Sequence, residues 1–158
     1  MKFALTRRSL LAGSLALAAA GPAAAAAPAH VRLSDDQWRK RLSPEAYDVL
    51  RHAGTERPGS SPLDAEDGAG TYACAGCDLP LFASKTKFHS GTGWPSFYDH
   101  LPNAIATASD RSLLMDRTAV ACRRCDGHLG HVFDDGPRPT GLRYCMNGVA
   151  LRFHPKVA

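Results

Sequence analysis

The sequence predicts a mainly β domain, an antiparallel sandwich or barrel-like fold with helices at its N-terminal side, held by a four-cysteine site. Three observations point there. Beyond Thr71 the chain breaks into short apolar runs separated by Gly, Pro and Asp clusters, as closely spaced antiparallel strands do. Helix signals gather ahead of Gly54. Two runs, Cys74–Leu81 and Cys122–Leu129, both read C-x-x-C-D-x-x-L and offer the four thiolates that a tetrahedral zinc site needs.

Residues 1–29 stand apart from this domain. Met1 to Arg8 is basic, Leu10 to Ala29 carries no charge, and the stretch ends in small residues, the layout of a secretory signal peptide. Arg7-Arg8 is the pair that marks twin-arginine export, so a mature periplasmic protein is expected. The rival is an uncleaved membrane anchor. Against it, the run is mostly alanine and is interrupted by Gly13, Gly21 and Pro22. Several A-x-A cut sites fit. Residues 30–158 then form one domain, long enough to bury a core.

Removing Lys2, Arg7 and Arg8 lowers the formal charge of the chain from +4 to +1. Four thiolates around one Zn²⁺ take it to about −1. No basic field is left to hold nucleic acid by its phosphates, which excludes that class of partner.

In the domain, Ser34-Asp35-Asp36-Gln37 reads as a capping box, and Ser43-Pro44-Glu45 opens a second helix that Gly54 closes. Trp38, Leu42, Tyr47 and Leu50 are the apolar residues to pack these helices. Thr55–Gly70, rich in Gly, Pro, Ser and acids, reads as a loop. Strands are expected at Thr71–Cys74, Leu79–Ala83, Ala104–Ala108, Leu113–Met115, Ala119–Ala121, Gly130–Phe133, Leu142–Met146 and Val149–Phe153.

The spacing of the cysteines is informative. Between Cys77 and Cys122 lie 44 residues, against about 15–20 in common paired-knuckle zinc modules. A metal bound by Cys74, Cys77, Cys122 and Cys125 would therefore staple two distant hairpins. The shared Asp starts a tight turn and the shared Leu tucks it onto the core. Two disulfides are the rival in an oxidising compartment, and a thioredoxin-like redox pair is a third reading.

Cys145, in Arg143-Tyr144-Cys145-Met146-Asn147, is the fifth cysteine and falls outside the pattern. Alone it reads equally as a buried structural residue. Arg143 and Asn147, two positions either side, share its face of a strand, supplying a cation that favours the thiolate and a hydrogen-bond donor. His128 and His131 offer proton donors near neutral pH. Trp94, in Gly91-Thr92-Gly93-Trp94-Pro95-Ser96-Phe97, is either core or the wall of a small apolar pocket.

Taken in order, Gly54–Pro58, the two C-x-x-C pairs, Ser90–Phe97, His128–Phe133, Gly136-Pro137, Pro139–Gly141 and Arg143–Asn147 resemble the B-type methionine sulfoxide reductases, the methionine-R-sulfoxide reductases. The resemblance covers nearly all of Leu33–Phe153. It implies a β-sandwich with one structural zinc per chain, far from the reacting thiol. It implies that Cys145 attacks the sulfoxide sulfur, and that His131, with Asn147 and His128, helps protonate and hold the oxygen. Arg143 would favour the thiolate, Asp135 orient the group, and Trp94 with Phe133 receive the S-methyl. The expected partners are methionine R-sulfoxide, free or in proteins, and a thioredoxin-like or other thiol reductant, with the chain a monomer. One departure matters: Thr92 stands where many members carry a resolving cysteine. A protein that grips methionine segments without turnover is the alternative from another class.

Overall fold

The computed structural model describes residues 29–112 and 115–157. Residues 1–28, on which the signal-peptide reading falls, lie outside the described residues. Two helices, nine strands and short 3₁₀ turns make up the described elements. Helices α1 (Asp35–Arg41) and α2 (Pro44–His52) start as expected. Ser34 accepts from Gln37 N–H while the Gln37 side chain accepts from Ser34 N–H, and the Ser43 hydroxyl caps Ala46 N–H. The end of α2 differs from expectation. Ala53, with φ 56°, takes the left-handed position one residue before Gly54.

The strands are β1 (Gly70–Cys74), β2 (Pro80–Ala83), β3 (Lys87–Phe88), β4 (Ser96–Phe97), β5 (Ile105–Asp110), β6 (Arg117–Cys122), β7 (His128–Phe133), β8 (Arg143–Met146) and β9 (Leu151–Pro155). They form two antiparallel sheets, β2-β1-β9 and β3-β4-β8-β7-β6-β5. Aromatic rings join the sheets. Phe82 of the first stacks on Phe97 of the second at 4.4 Å between centroids, and Tyr72 meets Phe97 edge-on at 4.9 Å. Tyr72, Leu81, Phe82, Phe97, Val120, Leu129 and Met146 are fully buried. Both motif leucines, Leu81 and Leu129, are thus core residues, as their repeated position suggested.

Three expectations need correction. Met115 lies outside any strand and is half exposed, with Leu113 and Leu114 outside the described residues, so that run is no part of a described strand. Strands β3 and β4, two residues each, were not expected, because two residues carry no periodicity. Val149–Phe153 starts late: Gly148–Ala150 is a 3₁₀ turn and the strand runs Leu151–Pro155.

The helices pack over the cysteine knuckles. A Cβ on Gly127 would lie 2.7 Å from Leu50 Cδ2, so the glycine leaves room for the Leu50 side chain of α2 against the second knuckle. Arg51 lies over the Trp38 ring and donates to Cys125 O at 2.9 Å. Among the described residues, no helix is long and apolar enough to cross a membrane.

Candidate active site and metal centre

The two knuckles have the same local geometry. Asp78 N–H donates to Cys74 O and Cys74 N–H to Leu79 O. Correspondingly, Asp126 N–H donates to Cys122 O and Cys122 N–H to Gly127 O. Asp78 and Asp126 adopt left-handed φ of 60° and 57°, a conformation short polar side chains tolerate. Arg124 crosses between the knuckles to Cys77 O.

All four sulfurs lie buried within 4.8 Å of one another. Cys77 to Cys122 is 3.5 Å and Cys74 to Cys125 is 3.7 Å. A disulfide needs about 2.05 Å, whereas tetrahedral Zn–S bonds of about 2.3 Å put sulfurs roughly 3.8 Å apart. All five cysteines are free. The sulfurs are thus not joined as disulfides in this structure, and the donor set fits a thiophilic divalent ion. Hydrogen bonds from Cys122, Cys125 and Cys74 lower the Cys77 pKa, while the same crowding raises that of Cys74.

The second centre lies on the six-stranded sheet. Cys145 on β8 stands opposite His131 on β7 and Ser96 on β4. A Cβ on Gly130 would lie 2.1 Å from Cys145 O, so a glycine there lets β8 close onto β7. Ser90 Oγ bonds Ser96 Oγ at 2.7 Å and Thr92 Oγ1 at 2.8 Å, and Thr92 Oγ1 reaches Cys145 Sγ at 3.8 Å. A cavity of about 130 Å³ opens over the thiol, lined by Thr55, Trp94, Arg117, His131, Phe133 and Asn147. Pockets that enclose a whole drug-sized ligand run to about 300–1,000 Å³, so this one suits the tip of a side chain.

Each expected site residue can be placed. Arg143 makes a two-pronged ion pair with Asp135, at 2.8 and 2.7 Å, and lies 4.4 Å from the centre of the Phe133 ring. Asp135 acts on Arg143, whose bonds hold the Asp135 carboxyl below its usual range. Arg143 does not prevail over burial. Desolvation raises the Cys145 pKa, with Thr92, Arg143 and Ser96 opposing it. His128 lies beside His131. Burial, reinforced by His131 at 5.3 Å between ring centroids, lowers its pKa to about 4, and its Nε2 is buried without a partner. That shift favours the neutral ring at neutral pH.

Asn147 is 4 % exposed. Its Oδ1 accepts from Glu56 N–H at 2.9 Å and its Nδ2 donates to Leu129 O at 3.0 Å, leaving one amide hydrogen for a ligand. Trp94 Nε1 donates to Glu56 O at 3.3 Å. The Glu56 carboxylate accepts from Gly148 N–H at 2.6 Å and Val149 N–H at 3.0 Å. Thr55–Gly70 is therefore no mere connection, since it carries the brace for Trp94 and Asn147. Sequence reasoning gave no role to Thr55, Glu56, Asp110 or Arg117. Thr55 and Glu56 lay within a quoted run, whereas nothing at Asp110 or Arg117 signalled them.

Fold and site together define a class: a two-sheet antiparallel β protein with one half-buried thiol in a small cavity and a separate cluster of four cysteines placed to hold a metal. The model of the SelR domain matches residues 42–155, and the chain belongs to that family. A Pseudomonas putida protein described as peptide methionine sulfoxide reductase MsrB is 56% identical over 122 residues, 77% of this chain and 92% of the relative. One of the same description from Methanosarcina barkeri is 53% identical over 124 residues, 78% of this chain and 87% of the relative. The Arabidopsis thaliana peptide methionine sulfoxide reductase B1, chloroplastic, is 51% identical over 123 residues, covering 77% of this chain and 61% of the relative.

Proposed function

We propose that the protein reduces methionine R-sulfoxide to methionine, with Cys145 as nucleophile and a thiol as final reductant. The observation that carries this is the register of Cys145 against His131 under a cavity walled by Trp94 and Phe133. A sulfoxide has a small S-methyl for the apolar wall, an electrophilic sulfur for the thiolate, and an oxygen that leaves only when protonated. The Cys145 sulfur bonds to the sulfoxide sulfur while His131 protonates the oxygen. The hydroxyl then passes to Cys145 as the methionine sulfur keeps the electron pair. The balance is Cys–SH plus sulfoxide giving Cys–SOH plus thioether. An external thiol condenses with the sulfenic acid, releasing water, and a second thiol frees Cys145 as a disulfide forms.

The half-buried His128 supports His131 by contact, and Asn147 offers its remaining amide hydrogen to the oxygen. Four thiolate donors at tetrahedral spacing favour zinc, which would brace the two hairpins. Removing the Cys74/Cys77/Cys122/Cys125 set from redox chemistry leaves Cys145 with no internal resolving partner.

The test is turnover with separated sulfoxide epimers and dithiothreitol. Methionine should form from the R epimer and negligibly from the S epimer; equal rates would overturn the reading. Binding without turnover would favour the non-enzymatic alternative. We also propose that residues 1–29 direct twin-arginine export to the periplasm and that the mature domain is a monomer. Arg7→Lys with Arg8→Lys should trap the precursor in the cytosol; a mature N-terminus at Met1 in the membrane fraction would support an anchor instead.

A further inference from the structure

We propose that Asp110 is the positioning residue for His131: it holds Nε2 so that Nδ1 is the nitrogen that takes up and gives back the catalytic proton. Only the kinetic arm of this proposal rests on the reductase reading above.

The sheet explains how a residue on β5 reaches one on β7. Adjacent strands lie about 4.8 Å apart, so β6 separates the two by roughly twice that. In the row through His131, β6 offers Ala119 and β5 offers Ala108, both only methyl-sized. Asp110, two residues beyond Ala108, points to the same face. Its carboxylate passes over the space the alanines leave and meets His131 Nε2 at 2.7 Å.

The carboxylate is itself fixed. Arg117, its register partner on β6, donates Nη2 to the same Oδ2 at 2.7 Å and to Ser112 Oγ at 3.1 Å. Ser112 N–H donates to Oδ1 at 2.9 Å. Bonds from Ser112, then His131, hold the Asp110 carboxyl far below its usual range, so it is ionised throughout the neutral region. An ionised carboxylate only accepts hydrogen bonds. The contact therefore requires a hydrogen on Nε2 in both charge states of the ring. The neutral ring is the Nε2–H tautomer, and the second proton resides on Nδ1. Without Asp110, the ring could turn and either nitrogen could carry the hydrogen.

The resting full-length enzyme gives the first readout, by ¹⁵N–¹H correlation of the histidine rings. Neutral His131 should appear as the Nε2–H tautomer alone, and Asp110→Asn should give mixed tautomers; an Nδ1–H tautomer in the wild type would overturn the proposal. This arm needs no turnover, so it decides which nitrogen Asp110 holds even if the reductase reading fails. The kinetic arm is a double-mutant cycle. Asp110→Asn should lower kcat about 10–100-fold with KM changed less than about 2-fold, and Asp110→Glu should recover part of the loss. In a His131→Ala background, Asp110→Asn should have less than about 2-fold effect. An equal loss in both backgrounds would mean Asp110 serves the fold rather than His131, and would overturn the proposal.

Discussion

Glu56→Ala removes the acceptor of two backbone donors, Gly148 N–H and Val149 N–H, at the turn just beyond Cys145 and Asn147. Hydrogen bonds to a charged acceptor contribute about 1.5–3 kcal/mol each. Glu56 is only partly buried, so water replaces some of that and the expected loss is about 2–4 kcal/mol. For a domain this size each kcal/mol moves the melting temperature by about 3–5 °C, giving a fall of about 6–20 °C. The backbone of residue 56 also holds Asn147 Oδ1 and Trp94 Nε1. Releasing it should therefore loosen the cavity wall as well as the fold. Glu56→Gln, which keeps one acceptor oxygen, should lose about half as much. Thermal melts by circular dichroism measure the first effect, and KM for methionine R-sulfoxide measures the second. A Glu56→Ala protein melting within about 1 °C of wild type, with unchanged KM, would refute this reasoning.

The purified protein should hold close to one zinc per chain, and serine at Cys74, Cys77, Cys122 or Cys125 should remove the metal and lower yield or melting temperature; two disulfides by mass spectrometry would contradict this. His128 has a folded pKa of about 4 against 6.5 for the free side chain. The unfolded state thus binds the extra proton first, and stability should be lost as pH falls from 6.5 toward 4. Allowing for partial exposure, that loss is about 1–2 kcal/mol, and melts of His128→Gln over this range should be flatter by this amount. Thr92 Oγ1 lies 3.8 Å from Cys145 Sγ, so Thr92→Cys should convert the sulfenic acid to an internal disulfide, scored by loss of dimedone labelling.

Legibility in the sequence followed the range of the interactions. Local signals were read correctly: the Ser34 and Ser43 caps, and the Asp-turn and buried leucine of each knuckle, are settled within a few residues. The facing of Cys145 and His131 follows from tertiary register, which only the family resemblance could anticipate. What stayed hidden depends on residues far apart in sequence. Glu56 gains its place from contacts some 90 residues away, and Asp110 depends on two intervening alanines being small. His128 shows the same limit. Its half-buried setting, which favours the neutral ring, depends on the packed sheet rather than on its neighbours in the chain.

The central claim is that Cys145 takes the oxygen from the sulfoxide. Mass spectrometry after one equivalent of methionine R-sulfoxide, without reductant, tests it most directly. One methionine should form per chain, and the Cys145 peptide should carry one added oxygen or its dimedone adduct. Cys145→Ser should form none. Methionine produced by Cys145→Ser, or wild-type turnover that leaves Cys145 joined to one of the four clustered cysteines, would contradict the claim.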